Sequence, residues 1–203
     1  MAKISAVFSD VGGVLLTNGW DHSQRLRLVE QFALDGPEFE SRHQMVAAPF
    51  DSGQLDLDEY LDRTIFYRPR EFRKQAVRDF MYAQSEALPG SLALVARLAQ
   101  TRKLFLATLN NESRELNLHR IEKFALRCYF SAFFSSCYLR VSKPHPDIYR
   151  LALDISQQQA QECVFIDDRS INLEAARRMG LHTIQFLNVG QLESDLRNLG
   201  LEV

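Results

Sequence analysis

The chain has 203 residues, 46% of them hydrophobic and 25% charged, and a formal net charge of −2. This suits one globular domain, or one domain with an inserted module, and excludes a disordered chain, a collagen and a disulfide mini-protein. The near-neutral charge provides no bulk positive field, so neither nucleic acid nor a membrane surface is an expected partner.

Three cysteines, Cys128, Cys137 and Cys163, form an odd, sparse set that reads as reduced thiols without assigned chemistry. The apolar run in residues 1–8 is too short for the core of a secretory signal. No apolar stretch reaches the ~18 residues that a membrane-spanning helix needs. A cytoplasmic location is expected.

In chain order, residues 4–9 form an apolar run rich in β-branched and aromatic side chains, closed by Asp10 and two glycines. That predicts a buried strand ending in a tight loop. Similar runs lie at 104–107, ending at Thr108, at 132–134, ending at two serines, and at 163–166, ending at Asp167 and Asp168. A fifth run, 182–186, follows Gly180. Helical patterns separate them at 91–100, at 112–124, in a helix capped by Asp147, and at 170–179. Continuously apolar strands alternating with helices predict an α/β fold, a doubly wound parallel sheet covered on both faces.

Residues 17–86 break the alternation. They carry helical patterns at 22–32, 38–48, 56–66 and 70–84, and Pro89-Gly90 marks the return to α/β order. The predicted organisation is a core of residues 1–16 and 87–203, with a small helical cap, residues 17–86, inserted after the first strand.

Polar residues gather where the apolar runs end: Asp10, Thr108, Asp167 and Asp168, with Lys143 after the third run. Each alone has an ordinary reading as a cap, a turn or a surface residue. Ligands bind at the carboxyl ends of strands in open parallel sheets, so these distant residues are expected to share one crevice. Two unit charges ~4 Å apart repel by about 4 kcal/mol at an effective dielectric near 20. Three carboxylates there therefore either hold protons or bind a cation, and hard oxygen ligands suit Mg²⁺.

Four segments then carry a resemblance. Phe8-Ser9-Asp10-Val11-Gly12-Gly13-Val14-Leu15, Thr108 at a strand end, Ser142-Lys143-Pro144-His145-Pro146-Asp147-Ile148-Tyr149, and Phe165-Ile166-Asp167-Asp168 with Asn172, Ala175 and Gly180 follow one another along the chain. In kind and order they resemble the four motifs of the haloacid dehalogenase-like hydrolases, many of which insert a helical cap where residues 17–86 lie. Receiver domains of bacterial signalling use similar parts, but their acidic pair comes first in the chain.

The resemblance implies a phosphatase that hydrolyses a small phosphate monoester, a sugar phosphate among the candidates. Asp10 would be the nucleophile, forming an aspartyl-phosphate. Mg²⁺ would be held by Asp10, the Gly12 carbonyl and Asp168, with Asp167 orienting metal-bound water. Thr108 would donate to a phosphoryl oxygen, and Lys143 would bridge that group and Asp10. Asn110 and Asn111 would bond phosphate or close a loop, the latter favoured, and Asn172 would pin the fourth-motif loop.

One departure stands out. Family phosphatases usually carry Asp two residues after the nucleophile, as general acid; this chain has Gly12. Either the leaving group needs little protonation, or a cap group such as His22 or His43 or a polarised water supplies the proton, or the protein is slow or silent. The rivals are a metal-independent dehalogenase, disfavoured by the acidic pair, and a catalytically silent binding or regulatory protein. A phosphonatase would need a cap lysine, and Lys74 reads as part of a charged helix face. Asn18, Trp20 and His22 are the nearest candidates for substrate contact, with His43, Phe50 and Tyr67 as further cap residues.

Overall fold

The computed structural model describes residues 3–101 and 104–203. Met1 and Ala2, which open the amino-terminal segment read above, lie outside them. The strands are β1 (Ala6–Ser9), β2 (Phe105–Asn110), β3 (Ala132–Ser135), β4 (Cys163–Asp167) and β5 (His182–Gln185). The helices are α1 (His22–Gln31), α2 (Gly36–Asp51), α3 (Leu57–Thr64), α4 (Lys74–Ala83), α5 (Ser91–Gln100), α6 (Arg114–Lys123), α7 (Ser136–Leu139), α8 (Pro146–Ser156), α9 (Ser170–Arg178) and α10 (Val189–Asn198).

All strands pair in parallel, in the order β3-β2-β1-β4-β5. The continuous apolar runs follow from burial on both faces. Val7, Leu106 and Val164 pack with α5 and α10 residues such as Leu94 and Leu196. Phe8, Ala107 and Phe165 pack on the other face with Tyr149 of α8 and Leu173 of α9. The chain steps outward from β1 to β2 and β3, then crosses back to β4 and β5. The β1–β4 boundary is thus the point where strand order reverses, and a crevice forms at the strands' carboxyl ends there.

Between β1 and α5, helices α1 to α4 share their own apolar cluster, including Leu28, Phe39, Phe50, Tyr60 and Met81. Leu116 of α6 joins it, which ties these helices to the sheet domain. Asp21 with Gln24 and Asp56 with Glu59 form capping boxes that start α1 and α3.

Several elements differ from their predicted bounds. Helix α2 runs past both ends of 38–48, because the Asp35 side chain caps the Glu38 N–H and Pro37 fits the first turn. Helix α4 begins at Lys74, not at residue 70. The N-cap of α8 is His145, not Asp147: its Nδ1 accepts from the Asp147 N–H at 3.2 Å, and Pro146 opens the helix. Strand β2 continues two residues past Thr108, to Asn110. Helix α7, only 4 residues long, is too short to show a periodicity.

Candidate active site

Asp10 follows the last residue of β1, and its backbone N–H donates to the Ile166 carbonyl at 2.8 Å. That register sets it beside Asp167, the last residue of β4. Lys143, on the loop between α7 and α8, reaches both. Its Nζ lies 2.9 Å from Asp10 Oδ2 and 2.6 Å from Asp167 Oδ2. All three side chains are buried. The Asn111 side chain holds the loop: its Oδ1 accepts the Lys143 N–H at 2.8 Å, and its Nδ2 donates to the Lys143 carbonyl at 2.8 Å.

Asp167 is saturated. Asn172 Nδ2 donates to its two oxygens at 3.0 and 3.1 Å, and the Arg169 N–H donates to Oδ1 at 2.8 Å. Asp168 is the opposite case: its Oδ1 is buried with no hydrogen-bond partner among the described residues. One carboxylate oxygen from each of Asp10, Asp167 and Asp168 lies within 4.8 Å of the others. Gly13 makes room for this. Its φ is +75°, and a Cβ there would stand 2.6 Å from Asp168 Oδ2.

Such crowding appears in the titration. Burial, opposed by Lys143 and aided by Asp167, pushes the Asp10 carboxyl up to about 7. Burial and then Asp167 also raise Asp168. A divalent cation would relieve both. An orphaned buried carboxylate oxygen beside two more hard oxygens fits one, with Asp10 and Asp168 free to ligate and Asp167 held behind them.

Above the carboxylates is a cavity of about 210 Å³. Asn18, Trp20 and Asn111 line it, as does Gly12. Trp20 Nε1 donates to Tyr60 Oη at 2.7 Å, and Tyr60 Oη lies 2.9 Å from His43 Nδ1. Tyr60 is fully buried, so its own O–H satisfies itself only by donating to His43. This assigns the His43 proton to Nε2. Burial, then Arg25, lowers His43 to about 4, so the ring is neutral.

Other residues singled out in the sequence fall elsewhere. His22 is 63% exposed at its side chain and is not among the lining residues. Phe50 stacks on Tyr60 in the apolar cluster. Tyr67 lies under the Arg42 guanidinium, away from the cavity. Asn110 Nδ2 donates to Asn117 and its Oδ1 accepts from Ser135 Oγ, which closes the loop rather than facing the cavity. Thr108 stands opposite Ser9, fully buried, and its Oγ1 has no partner among the described residues. It does not line the cavity, because β2 runs on past it.

A family model, haloacid dehalogenase-like hydrolase, matches residues 4–180. The chain belongs to the haloacid dehalogenase-like hydrolases. It is 30% identical over 164 residues to flavin mononucleotide hydrolase 1 of Arabidopsis thaliana, covering 81% of this chain and 66% of that protein. It is 39% identical over 59 residues to bifunctional epoxide hydrolase 2 of Sus scrofa, covering 29% of the chain and 11% of the relative. The chain thus spans less than two thirds of the curated relatives it matches. A HAD family enzyme from Bacteroides thetaiotaomicron superposes with a TM-score of 0.78 at 20% identity, covering 91% of this chain and 94% of that one. That enzyme has also been solved with magnesium and inorganic phosphate.

This HAD-like hydrolase also places charged groups in the cavity that its motifs do not mark. Glu112 and Arg120 form a buried ion pair at 2.7 Å, and Arg120 also donates to the Thr17 carbonyl. Asp21, Arg25, Asp51 and Arg169 also line it. No local pattern announces Glu112 and Arg120. Asp51 has a weak signal, since a carboxylate in the last turn of a helix opposes the macrodipole.

Proposed function

We propose that this hydrolase is a Mg²⁺-dependent phosphatase that cleaves a small phosphate monoester through an aspartyl-phosphate on Asp10. The juxtaposition of Asp10, Lys143 and the Asp167-Asp168 pair carries this reading. Helices α1 to α4, within residues 17–86, act as the cap over the site.

The Asp10 and Asp168 side chains, with the Gly12 carbonyl, would hold the cation, and Asp167 would stand behind them to orient water. When bound, the cation neutralises charge on the transferring phosphoryl group. Asp10 attacks phosphorus, the ester oxygen leaves, and water then hydrolyses the acyl phosphate to restore Asp10. Lys143 stabilises a phosphoryl oxygen while shielding Asp10 from Asp167. The placement of Thr108 leaves it supporting the floor of the site rather than touching substrate. Neutral His43 presents an Nε2–H donor to the part of the substrate beyond phosphate. A cavity of about 210 Å³ lies below the 300–1,000 Å³ usual for drug-sized ligands. That supports an ester the size of a sugar phosphate over a flavin nucleotide.

The fold is shared with L-2-haloacid dehalogenase from Xanthobacter autotrophicus, at a TM-score of 0.62 and 21% identity, covering 96% of this chain and 83% of that one. The three clustered carboxylates favour the phosphatase. The deciding experiment is phosphate release from sugar phosphates, flavin mononucleotide and an aryl phosphate, with Mg²⁺ and with EDTA. Mg²⁺-dependent release is expected, and Asp10→Asn abolishes it. Chloride release from a 2-haloacid in EDTA would overturn the reading.

A further inference from the structure

Gly12 leaves the site without the usual proton donor two residues after the nucleophile. The two histidines that could replace it do not suit. His22 lies outside the cavity, with its side chain 63% exposed. His43 is neutral and accepts from Tyr60 at Nδ1, so it has no acidic proton to give near pH 7.

We infer that Asp51, the last residue of α2, is the catalytic general acid that protonates the leaving oxygen. This rests on the phosphatase reading above. Asp51 lines the same cavity as Asp10 and Lys143. Among the described residues its backbone, not its carboxylate, makes the hydrogen bond that attaches it. Ser136 Oγ donates to the Asp51 carbonyl at 2.6 Å, and Arg140 donates to the Ser52 carbonyl at 3.3 Å. Gly53, at φ +67°, follows; a Cβ there would stand 2.6 Å from the Cys137 carbonyl, so the cap chain is pressed against α7. These contacts fix where Asp51 sits and leave its side chain to face the cavity.

The surroundings keep that carboxyl protonated near neutrality. Burial pushes it up to about 7; Glu112 adds to the rise, while Arg25 and Arg169 oppose it. Glu112 is itself neutralised by Arg120. Tyr60 of α3 feels its charge, His43 of α2 and Asp10, Asp21 and Lys143 line the same cavity, and Cys137 of α7 stands against Gly53.

The proton balance closes over one turnover. As Asp10 attacks phosphorus and the P–O ester bond breaks, the Asp51 carboxyl gives its proton to the departing oxygen, which leaves as an alcohol. The Asp51 carboxylate then takes one proton from the water that attacks the aspartyl-phosphate. Its other proton stays on inorganic phosphate, and both aspartates return to their starting states.

The test compares wild type with Asp51→Asn on two esters, an alkyl phosphate and 4-nitrophenyl phosphate, each with Mg²⁺. An alkoxide needs a proton to leave, and nitrophenolate needs far less. The expected loss of kcat on the alkyl ester is roughly 10²–10⁴-fold, and at least tenfold smaller on the aryl ester. The alkaline limb of the wild-type kcat profile on the alkyl ester, near pH 7, disappears in the variant. The aryl ester also reports that the variant is folded. Equal losses on both esters, or no loss on either, would overturn the role of Asp51 alone. If wild type releases phosphate from neither, the phosphatase reading falls and this inference with it.

Discussion

Lys143 Nζ lies 2.9 Å from Asp10 Oδ2, a contact made by a lysine on the loop before α8 with the residue that follows β1. Lys143 also sits 2.6 Å from Asp167, so one ammonium serves two buried carboxylates. Lys143→Met removes the charge and keeps most of the volume. A buried ion network that loses one partner is typically destabilised by 3–5 kcal/mol. Here about 3 kcal/mol is expected at pH 8, since Asp10 escapes part of the cost by taking a proton. Urea unfolding measures it, and phosphate release falls at least ~100-fold, as when a donor to developing charge is lost. An unchanged midpoint would show that the pair contributes nothing to stability.

Gly13 controls Asp168. Gly13→Ala forces a Cβ into the Asp168 carboxylate and holds alanine at φ +75°. The backbone strain alone costs about 1–3 kcal/mol. Displacing Asp168 should weaken Mg²⁺ binding by ten- to a hundredfold, the range typical of perturbing a metal site's immediate support. Calorimetric titration of Mg²⁺ into the variant gives the number. Binding as tight as in wild type would remove Asp168 from the ligand set.

Asp51 predicts a pH dependence of stability. Its folded pKa, about 7, lies above the ordinary 3.8. The folded state therefore binds more protons than the unfolded state between those values. The stability due to this group is fully present below about 3.8 and is lost as pH rises through 7. Replacing Asp51 by Asn removes that component, so wild type minus Asp51→Asn should become less favourable between pH 5 and pH 8. Parallel denaturation curves at the two pH values, with an unchanged difference, would contradict the partly buried placement of the carboxyl.

Arg120 and Glu112 should behave as a unit. Arg120→Met strands a buried carboxylate and should cost roughly 3–5 kcal/mol. The double variant Glu112→Leu with Arg120→Met leaves no uncompensated charge and should recover most of that loss. Chemical denaturation of both variants tests this. Additive losses would mean that the two residues are not coupled across their 2.7 Å contact.

Flavin mononucleotide is a useful discriminating ligand, because the Arabidopsis relative is named for its hydrolysis. With a cavity of about 210 Å³, this chain should prefer a sugar phosphate to flavin mononucleotide by at least tenfold in kcat/KM. Equal or better turnover of the flavin would mean that α1 to α4 open further than the arrangement described here.

The parallel sheet, its strand-end acids and the inserted helices were legible in the sequence for local reasons. A strand buried on both faces must be continuously apolar, an amphipathic helix must repeat at 3.6 residues, and the loops closing β1 and β4 expose their chemistry as Asp10, Asp167 and Asp168. The sequence also showed what was missing, a carboxylate at position 12.

What supplies the cavity's other charges was not local. Asp51 meets the site only because α2 ends on α7, through Ser136 and the close approach of Gly53 to Cys137. Glu112 and Arg120 matter only because they fold back on each other beside Thr17. Thr108 looks like a strand-end donor until the ladder is seen to continue to Asn110, which leaves its hydroxyl buried opposite Ser9. Periodicity and motif spacing report on one element at a time. Burial, ion pairing and the proton affinity of a carboxyl depend on every element that reaches the same space, and only the tertiary structure brings those together.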